Sequence, residues 1–209
     1  MIRLNTAASV MEFTSFKKKD NISEDTLLEA VMDFEDAFLS KQEGITMHCL
    51  VKNNSDQYAN VMFVRSMEAL EQIEEEAHSN EAAQHFFSLL DMESVEMKFH
   101  SILKEEFALP DHFSCVEHGT FSLNGSGDRE MLLKTADKIE SEYLSRYDNT
   151  RGYFIGRIDE KLYSEITLGK TFDQTKQICE GYREEPVCQL LLQMADEESM
   201  QLGFWYLIA

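Results

Sequence analysis

Two glutamates set 105 residues apart, Glu12 and Glu117, each sit in a short run of alternating apolar and polar residues. A carboxylate held in a partly apolar space loses hydration, its pKa climbs, and it can take a proton from a substrate near neutral pH. The neighbouring predicted strands alternate as well. Tyr58, Asn60, Met62 and Val64 share one face, and Ala59, Val61 and Phe63 the other; the corresponding set further along is Tyr163, Glu165, Thr167 and Gly169. If the more apolar set meets helices, Glu12, Thr14, Phe16, Tyr58 and Asn60 point to the opposite side, as do Glu117, Gly119, Phe121, Tyr163 and Glu165. Such a polar and aromatic mixture is what a ligand cavity carries. The candidates are therefore Glu12, Glu117 and the helix histidine His78 as bases, with Tyr58, Asn60, Tyr163 and Glu165 as substrate-binding residues. The plainer alternative gives each Glu a structural hydrogen bond, packs the tyrosines in the core and leaves His78 in solvent.

Other chemistries lack their motifs. No phosphate-cradling glycine pattern, GxSxG elbow or HExxH spacing occurs. His78 and His85 fall on one helix face, but without a third ligand at metal spacing no metal is expected. The formal charge of −20, from 39 acidic and 19 basic residues, disfavours nucleic acid and anionic membranes as partners. Four cysteines without CxxC spacing read as reduced core residues, and the N-terminal stretch lacks the apolar run of a signal peptide. A cytoplasmic protein with a small-molecule ligand is expected.

The elements that must position these residues repeat. Shifted by 105, Met11-Glu12-Phe13-Thr14-Ser15-Phe16 falls on Val116-Glu117-His118-Gly119-Thr120-Phe121, Tyr58 on Tyr163, and Gln72-Ile73 on Gln177-Ile178. A constant register held from strand to helix to strand indicates two diverged copies of one module. Each copy reads as strand, helix, strand, strand, helix, strand. Leu27, Leu28, Val31, Phe34 and Phe38 mark the first helix, and Ser66 offers an N-cap to the second. The expected division is 1–103 for copy one, 104–111 with Pro110 as a linker, and 112–209 for copy two. A βαββαβ unit is the ferredoxin-like α+β motif, with both helices on one face of an antiparallel sheet. The uncovered faces of two linked units would bury each other, giving an intramolecular, pseudo-dimeric α/β barrel that is a monomer or a simple homodimer. The better-formed site is expected in copy one, with Gly169 opening room in copy two.

The strand Tyr58–Val64 running into Ser66-Met67-Glu68-Ala69-Leu70, after the turn Glu43-Gly44, resembles the antibiotic-biosynthesis-monooxygenase family of dimeric α/β barrels. The later stretch Ala77-His78-Ser79-Asn80 before Phe86-Phe87-Ser88-Leu89-Leu90 is similar too. The resemblance implies a cofactor-independent monooxygenase that holds a phenolic or quinol-like molecule between its sheets, without flavin, metal or heme. The chain departs from the family at Val64 and Gly169, where a Trp is common, and at Thr14 and Gly119, where the heme-degrading branch has Asn. Those departures motivate a different class: a non-catalytic small-molecule-binding or stress-associated barrel, or an isomerase on the same scaffold.

Overall fold

A computed structural model describes residues 1–209, which divide into two compact units: Met1–Ser101 with Leu207–Ala209, and Ile102–Tyr206. In unit 1, strands β1 (Ile2–Arg3), β2 (Val10–Lys18), β3 (Ile45–Lys52), β4 (Tyr58–Val64) and β5 (Leu90–Ile102) form an antiparallel sheet in the order β1-β3-β4-β2-β5. Helices α1 (Glu24–Ala37), α2 (Met67–Ala77) and α3 (Glu81–Ser88) cover one face. Unit 2 contains β6 (Cys115–Ser122), α4 (Arg129–Lys138), β7 (Thr150–Arg157), β8 (Leu162–Gly169), α5 (Phe172–Glu180), α6 (Pro186–Met194) and β9 (Gln201–Leu207). Its strand order is β7-β8-β6-β9. Both units are thus α+β with the ferredoxin-like strand order. Strand pairings in unit 2 are those of unit 1 with 105 added: Glu12 faces Met62 and Phe99, and Glu117 faces Thr167 and Phe204.

Local chemistry sets the helix starts. Ser23 Oγ accepts from the Thr26 amide at 3.0 Å and Ser66 Oγ from the Ala69 amide at 3.2 Å, each closing an otherwise open helix N-terminus. Asn80 Oδ1 takes both the Ala82 and Ala83 amides, so the covering helix breaks at Ser79–Asn80 and restarts as α3. At the start of α5 the Thr171 side chain caps no amide, and Asn149 Oδ1 accepts the Thr171 amide at 3.0 Å. The stretch 104–111 packs two of its apolar side chains. Phe107 and Leu109 are buried, and the Phe107 ring meets Phe154 edge to face at 4.8 Å. No helix is long and apolar enough to cross a membrane.

The face assignment made from alternation is reversed. Val10, Phe16, Tyr58, Met62 and Val64 pack with Leu27, Val31, Phe34 and Phe86 of the helices, so Glu12, Thr14 and Asn60 point toward the helix layer. Met11, Phe13, Ala59, Val61 and Phe63 occupy the other face and are buried too. Both faces of β4 are buried along its whole length, so alternation offered no polar face to orient it. The same holds in unit 2, where Phe121 and Tyr163 join Leu132, Ile178 and Leu191 under the helices.

Two glycines carry close approaches. Gly44 turns the chain into β3 with φ of +99°, and a Cβ there would stand 2.6 Å from Ala69 Cβ on α2. Gly169 does not open room as expected: a Cβ on it would lie 1.9 Å from Thr175 Oγ1, because α5 is drawn against the strand there. Thr175 Oγ1 also accepts from Asn149 Nδ2 at 3.0 Å. Gly169→Ala is expected to cost about 1–3 kcal/mol by overpacking this contact, read from the urea midpoint. An unchanged midpoint would show that the helix shifts freely.

Candidate functional site

Unit 1 holds a cavity of about 330 Å³ between its sheet and its helices. Glu12, Thr14, Asn60 and Met62 form its floor from β2 and β4; Ile73, Glu74, Ala77 and His78 come from the end of α2, and Phe86 and Phe87 from α3. The break at Asn80 lets α2 and α3 each contribute to the cover. Phe34 and Phe86 stack at 5.4 Å between ring centroids, and with Phe16 they give the cavity an aromatic wall.

Glu12 is 5% exposed. Burial pushes its carboxyl up to about 7, with the Glu74 carboxylate adding to the rise; the hydrogen bond from Thr14 opposes it. That bond runs from Thr14 Oγ1 to Glu12 Oε1 at 2.6 Å. The group can therefore exchange a proton near neutral pH from within an apolar enclosure. Glu74 is itself raised by its partial burial and by Glu71, with His78 acting the other way. His78 is exposed at the end of α2, on the cavity's mouth.

Of the residues singled out from the sequence, the cavity gathers Glu12, Asn60 and His78. Tyr58 and Tyr163 are core residues, which corrects their assignment to substrate binding. Tyr58 stacks on Phe16 at 5.9 Å and donates to Glu24 Oε2 at 2.7 Å; Tyr163 stacks on Phe121 at 6.3 Å. Glu117 takes the place of Glu12 in unit 2, where burial and the nearby Glu165 push its carboxyl up to about 8. Glu165 stands where unit 1 has Asn60, but it accepts from Tyr153 Oη at 2.7 Å and Tyr182 Oη at 3.1 Å. Burial raises its carboxyl as well. Tyr182 is the counterpart of Ala77 in the 105-residue register: its ring is buried in the unit 2 core and its hydroxyl reaches Glu165, whereas the small Ala77 lines the unit 1 cavity.

Ala77→Tyr therefore imports the unit 2 solution. It is expected to abolish binding of a bicyclic aromatic probe such as 1-naphthol in calorimetry while preserving the far-UV circular dichroism. Undiminished binding would place the probe elsewhere.

Sequence reasoning missed two residues of this layer, Glu35 and His48, both buried and joined by a 2.7 Å hydrogen bond between His48 Nδ1 and Glu35 Oε1. A signal for them existed. Glu35 interrupts the apolar stripe of α1 beside Val31, Phe34 and Phe38, and His48 lies amid the apolar run of β3. Two ionisable groups at buried positions of adjacent elements are expected to pair.

No known family's sequence pattern matches the chain, and no curated protein does. Solved structures do match its fold over nearly the whole length. A candidate monooxygenase from Lactobacillus acidophilus superposes with a TM-score of 0.67 at 9% identity, covering 96% of this chain and 94% of that one. An anthrone oxidase-like protein gives 0.61 at 13%, covering 98% and 94%. A heme-binding protein from Thermus thermophilus gives 0.60 at 11%, covering 98% and 93%. At such identities the likeness establishes a shared fold and leaves the chemistry to the side chains of this chain.

Proposed function

We propose that this protein is a cofactor-independent monooxygenase, arisen by tandem duplication, whose unit 1 cavity takes a small aromatic or quinol-like molecule. The observation that carries the reading is Glu12: a buried carboxyl with a pKa near 7, at the floor of a cavity walled by Phe16, Phe34 and Phe86. The recurrence of the unit 1 strand pairings 105 residues later supports the duplication. Similarity in fold to an anthrone oxidase-like protein and to a candidate monooxygenase points to the same class.

In this reading the aromatic walls bind the rings, and Glu12 accepts a proton from an acidic C–H or O–H of the substrate. The electron pair left behind reduces O2. At a ring CH2 one oxygen atom remains as a new carbonyl and the other leaves as water with the two hydrogens of that carbon; on a quinol, ring hydroxylation is accompanied by oxidation to the hydroxyquinone, whose lost hydrogens complete the water. Substrate supplies all the electrons, so no external reductant enters. The apolar wall matters twice, by keeping Glu12 poised and by excluding water from the reduced oxygen.

Haem, named for one protein of this fold, does not suit the cavity. A porphyrin brings two carboxylates that call for cationic partners, whereas the ionisable residues of the wall are Glu12, Glu74 and His78, with no Lys or Arg.

Oxygen uptake with a panel of anthrones and naphthalenediols, corrected for autoxidation, tests the proposal. Uptake of one O2 per substrate and one 18O atom retained in the product are expected. Binding of panel members without any uptake above background would leave a non-catalytic binding protein.

A further inference from the structure

The wall of the unit 1 cavity carries two carboxyls and several aromatic faces, with no lysine or arginine to answer them. Elsewhere in unit 1 such carboxylates meet cations: Glu24 pairs with Lys52, and Glu35 with the amino terminus at 3.0 Å. Glu74 is different. It lies half-buried on α2 at the cavity's mouth, and no hydrogen bond reaches its carboxylate. Its charged neighbours are Glu71, a like charge, and His78 one turn further along α2. Glu12, on the floor, is 5% exposed, and its one side-chain hydrogen bond runs from Thr14 to Oε1, which leaves Oε2 unpartnered in the wall. The two carboxyls are close enough for the Glu74 charge to push Glu12 up.

A neutral ligand covering the mouth would strip water from the Glu74 carboxylate and give it no partner, and an anionic ligand would add repulsion. A protonated amine supplies what is missing, because its N–H donors reach the carboxylate and its charge cancels the negative one. The aromatic wall favours the same sign of charge, since the face of a phenyl ring attracts a cation. Phe87 is placed for this. It is half-buried and meets Phe34 edge to face at 5.9 Å, so it stands nearer to solvent than the stacked rings of Phe34 and Phe86.

We propose that the unit 1 cavity takes a cationic arylalkylamine, its ring among Phe16, Phe34 and Phe86 and its ammonium held at the mouth by Glu74. The inference rests on the reading of this cavity as the ligand site and names a substrate class for it: a phenol or quinol ring with an amino group on a short alkyl arm. The ring end then faces Glu12 on the floor, while the charged end keeps part of its hydration at the mouth. A bound ammonium also offsets the Glu74 charge that helps to raise Glu12, so the base ionises more readily with its substrate in place.

Anaerobic calorimetry with tyramine, tyrosol and hydroxyphenylpropionate tests the proposal. The three share a phenol ring and a short arm that ends in an ammonium, a hydroxyl or a carboxylate. The native protein is expected to bind tyramine at least about tenfold more tightly than tyrosol, the worth of one partly desolvated cation contact, and the propionate most weakly. Glu74→Gln keeps the size of the side chain and should lower the tyramine-to-tyrosol ratio at least about fivefold, with tyrosol affinity held or improved. A net charge of −20 attracts any cation, so Glu75→Gln serves as the control. Glu75 is exposed on α2 outside the cavity wall, and replacing it changes the net charge equally, so the ratio should stay as in the native protein. Equal falls in the two variants would trace the preference to the diffuse field and overturn the inference. So would a native protein that does not distinguish tyramine from tyrosol while still binding 1-naphthol, a result that leaves the cavity standing as an aromatic site. Binding needs no oxygen. A tyramine preference that depends on Glu74, without oxygen uptake on any phenolic or quinol amine, would remove the oxygenase reading alone.

Discussion

Glu12→Gln is expected to lower turnover of an oxygen-consuming substrate by about 10²- to 10⁴-fold, the range that a positioned general base contributes. Gln keeps the size of Glu and an oxygen able to accept from Thr14 Oγ1, which stands 2.6 Å from Glu12 Oε1, so the cavity should persist. What disappears is the capacity to take a proton. Substrate binding should change little, and the loss should fall on kcat rather than KM. The pH profile of the native protein adds a second signature. Glu12 must be ionised to act, so kcat/KM should climb as pH rises and level off above an apparent pKa of about 7, the value to which burial carries the group. Thr14→Val removes the hydrogen bond that favours the carboxylate, so the rising limb should move to higher pH. Turnover retained in the Gln variant, or a flat profile between pH 5 and 9, would dismiss Glu12 as the base.

The fold was more legible than the site, for a physical reason visible in β4. Its neighbours in sequence announced a strand followed by a capped helix: seven residues of alternating character, then Ser66, then Leu70, Ile73 and Ala77 at helical spacing. Periods of 2 and 3.6 survive in any sequence that must bury one side of an element. Which side of the strand lies under the helices is a different question, and here the pattern is silent. Val61 and Phe63 are as thoroughly buried as Tyr58 and Val64 on the other face. The apolar set was assigned to the helices because helix-covered faces are ordinarily dry. The cavity reverses that expectation, since Glu12, Thr14 and Asn60 are tolerated under helices only where hydrogen-bond partners or open space receive them. Nor could composition distinguish a cavity wall from a core. Phe16 and Phe34 line the cavity while Tyr58, stacked on Phe16, does not. The replacement of Ala77 by Tyr182 in the register was present in the sequence, but its meaning as an open space against a filled one emerges only with both units in view.

Stability should fall steeply as pH rises through the neutral range, and Glu117 should carry much of the fall. Its carboxyl stands at about 8 in the folded protein against 4.5 when solvated, because burial removes its hydration and Glu165 lies nearby. A folded pKa above the unfolded one means that the native state binds the extra proton. The stabilisation is fully present below about pH 4.5 and is lost as pH climbs through about 8. One unit of displacement corresponds to about 1.4 kcal/mol, so the full displacement would be worth roughly 5 kcal/mol; relaxation and entering water reduce this to several kcal/mol. Glu12, displaced to about 7, acts in the same direction over a narrower window. The net charge of −20 also opposes compactness as pH rises, so a declining midpoint in the native protein does not by itself identify the cause. Glu117→Gln separates the two. It leaves the surface charge in place and deletes the buried titration, so the variant and native urea midpoints should lie close together at pH 5 and diverge by pH 9, with the variant more stable. Parallel curves across that range would mean that Glu117 reaches water when it ionises, and that the Tyr182 ring does not seal unit 2 as the burial of its neighbours requires.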